Sequence, residues 1–364
     1  MIYFCYFLFS FLAIRLLVSL VNYLSFHSFS NKSDLKNNKL VSILIPARNE
    51  EGNIGRLLQQ LNDFSYMDFE VIVYDDNSDD NTVNVVSNFS EKNRKFRLVE
   101  GGKLSEGWLG KNHACHQLSQ LAKGEVLLFL DADVRVKDGL IERSLEYMEL
   151  NKLHLLSIFP KQIFESIGEK ISVPLMNWIL LSLLPLFLIR QTRNPAFAAA
   201  NGQFMMFQAN TYQKYLPHKH FRMNAVEDIA IIKFFKKLGL QSDTLLGIKY
   251  IECKMYSSAS ESIDGFAKNI FTFFGNSATI TILFAIVLTT APIVIFAQQG
   301  VVIGIGYLIG IILIRIFVSL ASKQSSIQNV LFLFPQHIVF LLIITNRLII
   351  SKKKKLRWKG RIIS

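Results

Sequence analysis

The apolar residues of this chain are concentrated at its two ends, and that distribution limits what can fold between them. Residues 2–24 read IYFCYFLFSFLAIRLLVSLVNYL, with Arg15 as the one charge, and are long enough to cross a hydrocarbon layer of about 30 Å. The segments 278–297, 301–320 and 330–350 are each as long as one further span. Residues 2–24 lack the basic start and small-residue end of a cleaved signal, so they read as an anchor. Lys32, Lys36 and Lys39 follow, and by the positive-inside rule the next domain is cytoplasmic. The expected organisation is an anchor at 1–25, a polar linker at 26–39, a catalytic domain at 40–275, membrane segments at 276–350 and a cytoplasmic tail at 351–364. The basic run SKKKKLRWKGR in that tail suits anionic lipid.

The span count conflicts with itself. An entering anchor followed by three full spans leaves the tail outside, so one segment is re-entrant or interfacial, or the first does not cross. Pro335, His337, Asn346 and Arg347 make the last segment the candidate. Arg315, inside the middle segment, is costly in lipid and needs a head group or another helix. Residues 171–190 are apolar too, but Pro174, Asn177 and Pro185 interrupt them. A helix lying in the interface, with Trp178 near the head groups, fits better than a span that would split the domain. A net charge of +12 could signal a nucleic-acid binder, but 51% hydrophobic residues with 30 Phe among 364 point to a membrane enzyme. Cys5, Cys115 and Cys253 are too scattered for a disulfide framework or a zinc site, which puts the catalytic part in a reducing compartment.

Between these segments, LVSILIP, FEVIVYDD, residues 96–99 and EVLLFL read as strands, and GNIGRLLQQLND, NTVNVVSNFSEK and residues 111–123 as helices. The alternation predicts an α/β domain with a mostly parallel sheet and helices on both faces. Ligands of such sheets bind beyond the carboxyl ends of the strands. In LLFLDADV the strand stops at Asp131, with Asp133 one residue further. Two hard carboxylates there can share Mg²⁺ or Mn²⁺ with a substrate diphosphate, although an isolated pair is more often an Asp-rich turn. The first strand ends in Pro46-Ala47-Arg48-Asn49-Glu50-Glu51, where main-chain groups with Arg48 or Glu50 can hold a base and its ribose. Asp75 and Asp76 close the second, and one of them can accept from a base N–H or a ribose hydroxyl. Three acidic strand ends on one edge are hard to obtain by chance.

Glu106 to Asn112, EGWLGKN, is a glycine-containing loop entering a helix, and Lys111 can neutralise a diphosphate. His113 and His116 lie three apart, a possible metal pair for which packing is the better account. Glu227-Asp228 opens an amphipathic helix, either as a cap or as a general base.

PARNEE, YDDNSDDNT, GWLGK, FLDADV and AVED, in that order, resemble the inverting membrane-bound family 2 glycosyltransferases of GT-A fold. Within them the chain is similar to the subgroup of bacterial carotenoid and hopanoid pathways, through Gly107 to Lys111, Lys254 to Tyr256, Gly265-Phe266 and Trp358 to Arg361. The resemblance implies that Ala47, Arg48, Glu50 and Asp76 hold the nucleotide-sugar, that Lys111 approaches its phosphates, and that Asp131 and Asp133 serve Mg²⁺ or Mn²⁺. It implies that Asp228 is the base, supported by Glu227. The QxxRW motif of processive synthases does not follow Asp228, which argues against polymer extrusion. The expected activity is transfer of one sugar from a nucleotide-sugar, UDP-linked, to a membrane lipid such as a carotenoid, hopanoid or other polyisoprenoid, with no nucleic-acid partner. The alternatives are a polyprenyl-phosphate or envelope glycolipid transferase, and a non-catalytic scaffold keeping the fold.

Overall fold

The computed structural model describes residues 2–25, 38–247, 249–256, 258–353, 357–358 and 361–362, those from 351 on by their backbone alone. The linker, with Lys32 and Lys36, and the basic tail therefore fall largely outside the described residues. The strands are β1 (Val41–Ala47), β2 (Phe69–Asp75), β3 (Phe96–Glu100), β4 (Val126–Leu130), β5 (Val134–Val136), β6 (Leu155–Phe159), β7 (Lys161–Gln162), β8 (Phe204–Gln208), β9 (Ser242–Leu246) and β10 (Ile251–Cys253). Seven of them form one sheet in the order β3-β2-β1-β4-β8-β6-β9, and β5-β10-β7 form a small second one. β3, β2, β1 and β4 are mutually parallel, while β8 runs antiparallel to β4 and β6. The sheet is thus mixed and mostly parallel, as the strand–helix alternation predicts.

Why the strands read as continuous apolar runs is visible in β1. Ile43 and Ile45 enter one core with Ile54, Leu57, Leu58 and Leu61 of helix Ile54–Asn62. Leu44 enters the opposite core with Ala114, Cys115 and Leu118 of helix Gly110–Leu121. Successive side chains point to opposite faces, and because helices cover both, neither face can be polar.

The apolar ends come together as a helical bundle. Ile2–Leu24, Ala278–Ala321 and Leu333–Ile350 are long and apolar enough to cross a membrane. The second breaks at Gly300, whose φ of 82° and ψ of 175° are not helical. A Cβ at Gly304 would fall within 2.6 Å of the Phe296 ring. Phe11 meets Phe284 at 5.8 Å while Phe9 meets Tyr307 at 5.6 Å. In a straight helix residues 284 and 307 would lie about 34 Å apart, so the chain folds back at Gly300 into a hairpin whose arms flank the N-terminal helix. Residues 330–350 are split: a short helix, Ser326–Leu331, precedes the long one, Leu333–Lys353.

Residues 171–190 form parts of three helices, Ile167–Ser172, Pro174–Leu183 and Phe187–Gln191. They pack on the N-terminal helix, where Asn22 donates to the carbonyls of Leu181 and Leu184 and accepts from the Leu186 N–H, each at 2.8 Å. Trp178 lies inside the bundle rather than on its surface. It is 5% exposed, with the Arg15 guanidinium 4.9 Å and the Arg315 guanidinium 4.0 Å from its ring. Burying an ion costs several kcal/mol, and a desolvated cation–π contact returns about 2 kcal/mol, which accounts for the tryptophan's place in the bundle. Arg315 is therefore met by other helices, through Trp178 and through Gln336 at 2.8 Å.

Candidate active site

β1, β2 and β4 end on one edge, and the loops after them are laced together. Asn49 and Asn77 both take left-handed conformations (φ 53° and 54°), which Asn tolerates better than most residues. Those turns let Arg48 Nη1 donate to the carbonyls of Asp76 (2.5 Å) and Asn77 (2.9 Å). The Asn49 N–H donates to Ser78 Oγ and the Glu50 N–H to Thr82 Oγ1, at 2.9 and 2.8 Å. Asp75 and Asp76 diverge because adjacent strand residues face opposite ways. Asp75 accepts from the N–H (3.0 Å) and hydroxyl (2.5 Å) of Ser78 and so builds the turn, whereas Asp76 lines a cleft of about 140 Å³. Ala47, Arg48, Glu50, Lys111, Asp131 and Asp133 line the same cleft. Asp75 is outside this lining.

Lys111 ties the acids of two elements. Its Nζ lies 2.8 and 2.9 Å from the two oxygens of Asp131 and 3.6 Å from Glu227 Oε1. Burial alone would depress the ammonium's pKa, but Asp131 and Glu227 outweigh it and hold it well above the ordinary lysine value. Glu227 is pushed up to about 7, first by burial and then by Asp228, against the pull of Lys111. Burial likewise raises Asp228, although N–H groups and Lys111 oppose it. Asp228 accepts from the Gly202 N–H at 3.0 Å and the Ile229 N–H at 2.7 Å, which fixes the orientation of its carboxylate.

Gly202 and Gln203 are the residues that sequence reasoning missed. The antiparallel register Leu130↔Phe204 brings the residue before β8 opposite the one after β4. The Asp131 N–H accordingly donates to the Gln203 carbonyl at 3.2 Å. Gln203 Nε2 lies 3.4 Å from Asp133 Oδ1 and 2.8 Å from Cys253 Sγ. Their signal is the NGQ just before FMMF, legible once that run is paired with the strand carrying Asp131. A Cβ at Gly202 would lie 3.0 Å from Lys111 Nζ and 3.4 Å from Glu227 Oε1. Gly202→Ala is therefore expected to shift the Lys111 ammonium and lower transfer by about 10- to 100-fold. A steady-state assay on solubilised protein with an unchanged melting temperature checks this.

The EGWLGKN loop is fixed by Asn112, which donates to the carbonyls of Phe221, Arg222 and Asn224 at 3.0, 3.3 and 2.9 Å. The Leu109 N–H reaches the Arg222 carbonyl at 2.9 Å. Asn112→Ala removes three bonds, although the Phe221 and Arg222 carbonyls keep the Asn224 and Leu109 N–H groups, and a loss of about 1 kcal/mol is expected, read as a lower unfolding midpoint. The two histidines pack on Trp108, His116 stacked at 5.2 Å and His113 edge-on at 5.5 Å. Among the described residues no cluster of three His, Cys, Asp or Glu forms a metal site. The donor chemistry at Asp131 and Asp133 nevertheless fits a hard divalent cation that takes its other oxygens from diphosphate and water. The Lys111 ammonium already sits on Asp131 as a cation would.

A mixed sheet of this order, with acids from several strand ends around one cleft, is the GT-A fold. Residues 42–216, just under half of the chain, match "Glycosyl transferase family 2". The chain is 25% identical over 249 residues to the 4,4'-diaponeurosporenoate glycosyltransferase of Staphylococcus haemolyticus, covering 67% of this chain and 64% of the relative. The Staphylococcus aureus protein of the same name is 27% identical over 252 residues, covering 68% and 64%. The chain thus spans just under two thirds of the length of these relatives. A mannosyltransferase from Pyrobaculum calidifontis, solved with GDP-Man and Mn²⁺, superposes with a TM-score of 0.58 at 14% identity, covering 94% of this chain and 97% of that one. That likeness concerns the fold.

Proposed function

We propose that this protein is a glycosyltransferase that moves a single sugar from a nucleotide-sugar, UDP-linked, to a lipid acceptor at the cytoplasmic face of a membrane, with inversion. The observation that carries the reading is the single cluster in which Lys111 joins Asp131 to Glu227, beside Asp228. Leaving-group and acceptor functions are then adjacent. Ala47, Arg48, Glu50 and Asp76 hold the nucleotide, and Lys111 contributes positive charge next to its phosphates. Mg²⁺ or Mn²⁺, held by Asp131 and Asp133, would neutralise charge on the departing diphosphate. Asp228 takes the proton of the acceptor hydroxyl as that oxygen bonds to the anomeric carbon. The bond from that carbon to the diphosphate oxygen breaks, and the nucleoside diphosphate leaves. An ionised carboxylate acceptor has no proton to give, and Asp228 then matters less.

A lipid acceptor is supported by the apolar helices and by the relatives, which are named for a carotenoid acid. It is also supported by how the domain, residues 40–275, is fastened to the bundle. Gln336 Nε2 donates to the Lys170 carbonyl at 3.1 Å and Asn346 Nδ2 to Asp264 Oδ1 at 2.7 Å. Both halves of Leu333–Lys353 are thus tied to the domain, which favours an interfacial last helix and a cytoplasmic tail. The test is mass spectrometry of lipid extracts from cells with and without the gene, beside an Asp131→Ala/Asp133→Ala control. A hexose-shifted lipid that requires the intact acids is expected; an unchanged lipid profile would remove the proposal.

A further inference from the structure

The bundle contains two cations with no anion. Arg15 and Arg315 are 4% and 3% exposed, and among the described residues neither makes an ion pair. Arg15 donates through Nε and Nη2 to Ser182 Oγ alone, at 3.3 and 2.8 Å. Arg315 donates through Nη1 to Gln336 Oε1, and its Nε is buried with no partner. Each guanidinium carries five donors, so most of this capacity is unmet. Trp178, whose ring both guanidiniums reach, attracts both cations but neutralises neither. Arg15 precedes Asn22, the contact to the domain, by seven residues, about 10 Å along the helix. Both arginines lie on helices long and apolar enough to cross a membrane.

We propose that Arg15, Trp178 and Arg315 form a site for the anionic group of a lipid, a carboxylate or a phosphate. One planar carboxylate or one phosphate satisfies guanidinium donors in pairs and removes the like-charge repulsion. Gln336, which accepts from Arg315 and donates to the Lys170 carbonyl, ties the site to the helix Ile167–Ser172 of the catalytic domain. Two lipid classes carry the same chemistry: an acceptor ending in a carboxylate, and an anionic phospholipid of the bilayer. The proposal rests on the membrane placement given above but not on transfer, since it is read by binding alone.

The test uses full-length protein in nanodiscs of phosphatidylcholine, alone or with phosphatidylglycerol or oleate, followed by native mass spectrometry of retained lipid. Wild type is expected to keep about one anionic lipid through delipidation, Arg315→Gln and Arg15→Gln to keep at least tenfold less, and Arg315→Lys to fall between. Preference for oleate identifies the carboxylate source, and preference for phosphatidylglycerol the phosphate source. Equal retention by wild type and an Arg15→Gln/Arg315→Gln double variant would overturn the site. Where the double variant does not fold, the wild-type melting temperature decides: a rise with either anionic lipid over phosphatidylcholine supports the site, and no rise overturns it. The Asp131→Ala/Asp133→Ala protein, inactive in transfer, should retain the lipid as wild type does.

Discussion

Asp133→Ala is expected to lower transfer by about 10²- to 10³-fold, the scale of charge stabilisation at a departing group. The Gln203 amide, 3.4 Å from the carboxylate, keeps its contact with Cys253 Sγ in the variant. Asp131→Ala should lose activity and stability together, because it leaves the Lys111 ammonium with Glu227 at 3.6 Å as its remaining ion-pair partner. Lys111 is about a quarter exposed, so the cost of weakening its pairing is moderate. Donor titrations with and without Mn²⁺, beside thermal unfolding, separate the two. Asp133→Ala protein that transfers sugar at the wild-type rate would end the metal assignment.

Asp228→Asn should lower transfer to a hydroxyl acceptor by about 10²- to 10⁴-fold, the usual range for a lost general base. The amide cannot accept both N–H groups, from Gly202 and Ile229, that hold the carboxylate, so a modest fall in stability accompanies it. With a carboxylic acid acceptor the same variant should lose far less, since an ionised nucleophile needs no base. Comparing the two acceptors in one preparation therefore reports on acceptor class as well as on the role of Asp228. Equal, full activity of Asp228→Asn on both would remove the base assignment.

What could be read before any coordinates was whatever depends on nearby residues. β1, β2 and β4 announce themselves as apolar runs ending in polar motifs, and parallel strands buried on both faces must look that way. Asp76, Lys111 and Asp131 follow as soon as those ends share an edge. The partition of labour between Asp75 and Asp76 was not legible, because it depends on which face of the strand the turn at Ser78 closes. Gly202 and Gln203 were hidden for a different reason. Their importance comes from an antiparallel pairing between residues some seventy positions apart in the chain, and no local pattern encodes that partner. The hairpin at Gly300 and the burial of Trp178 are likewise products of helix packing, where a tryptophan that looks suited to the lipid surface is claimed by two arginines.

The three bonds from Asn112 have a kinetic implication. They fasten the start of the helix carrying Lys111 to the loop running into Glu227 and Asp228, so the two move as one piece. A donor whose phosphates shift Lys111 must also shift the carboxylate awaiting the acceptor. Binding of the two substrates is then thermodynamically linked: each should change the other's affinity by the same factor, and removing the Asn112 bonds should reduce that factor, with the Leu109–Arg222 bond and the Lys111–Glu227 pair still in place.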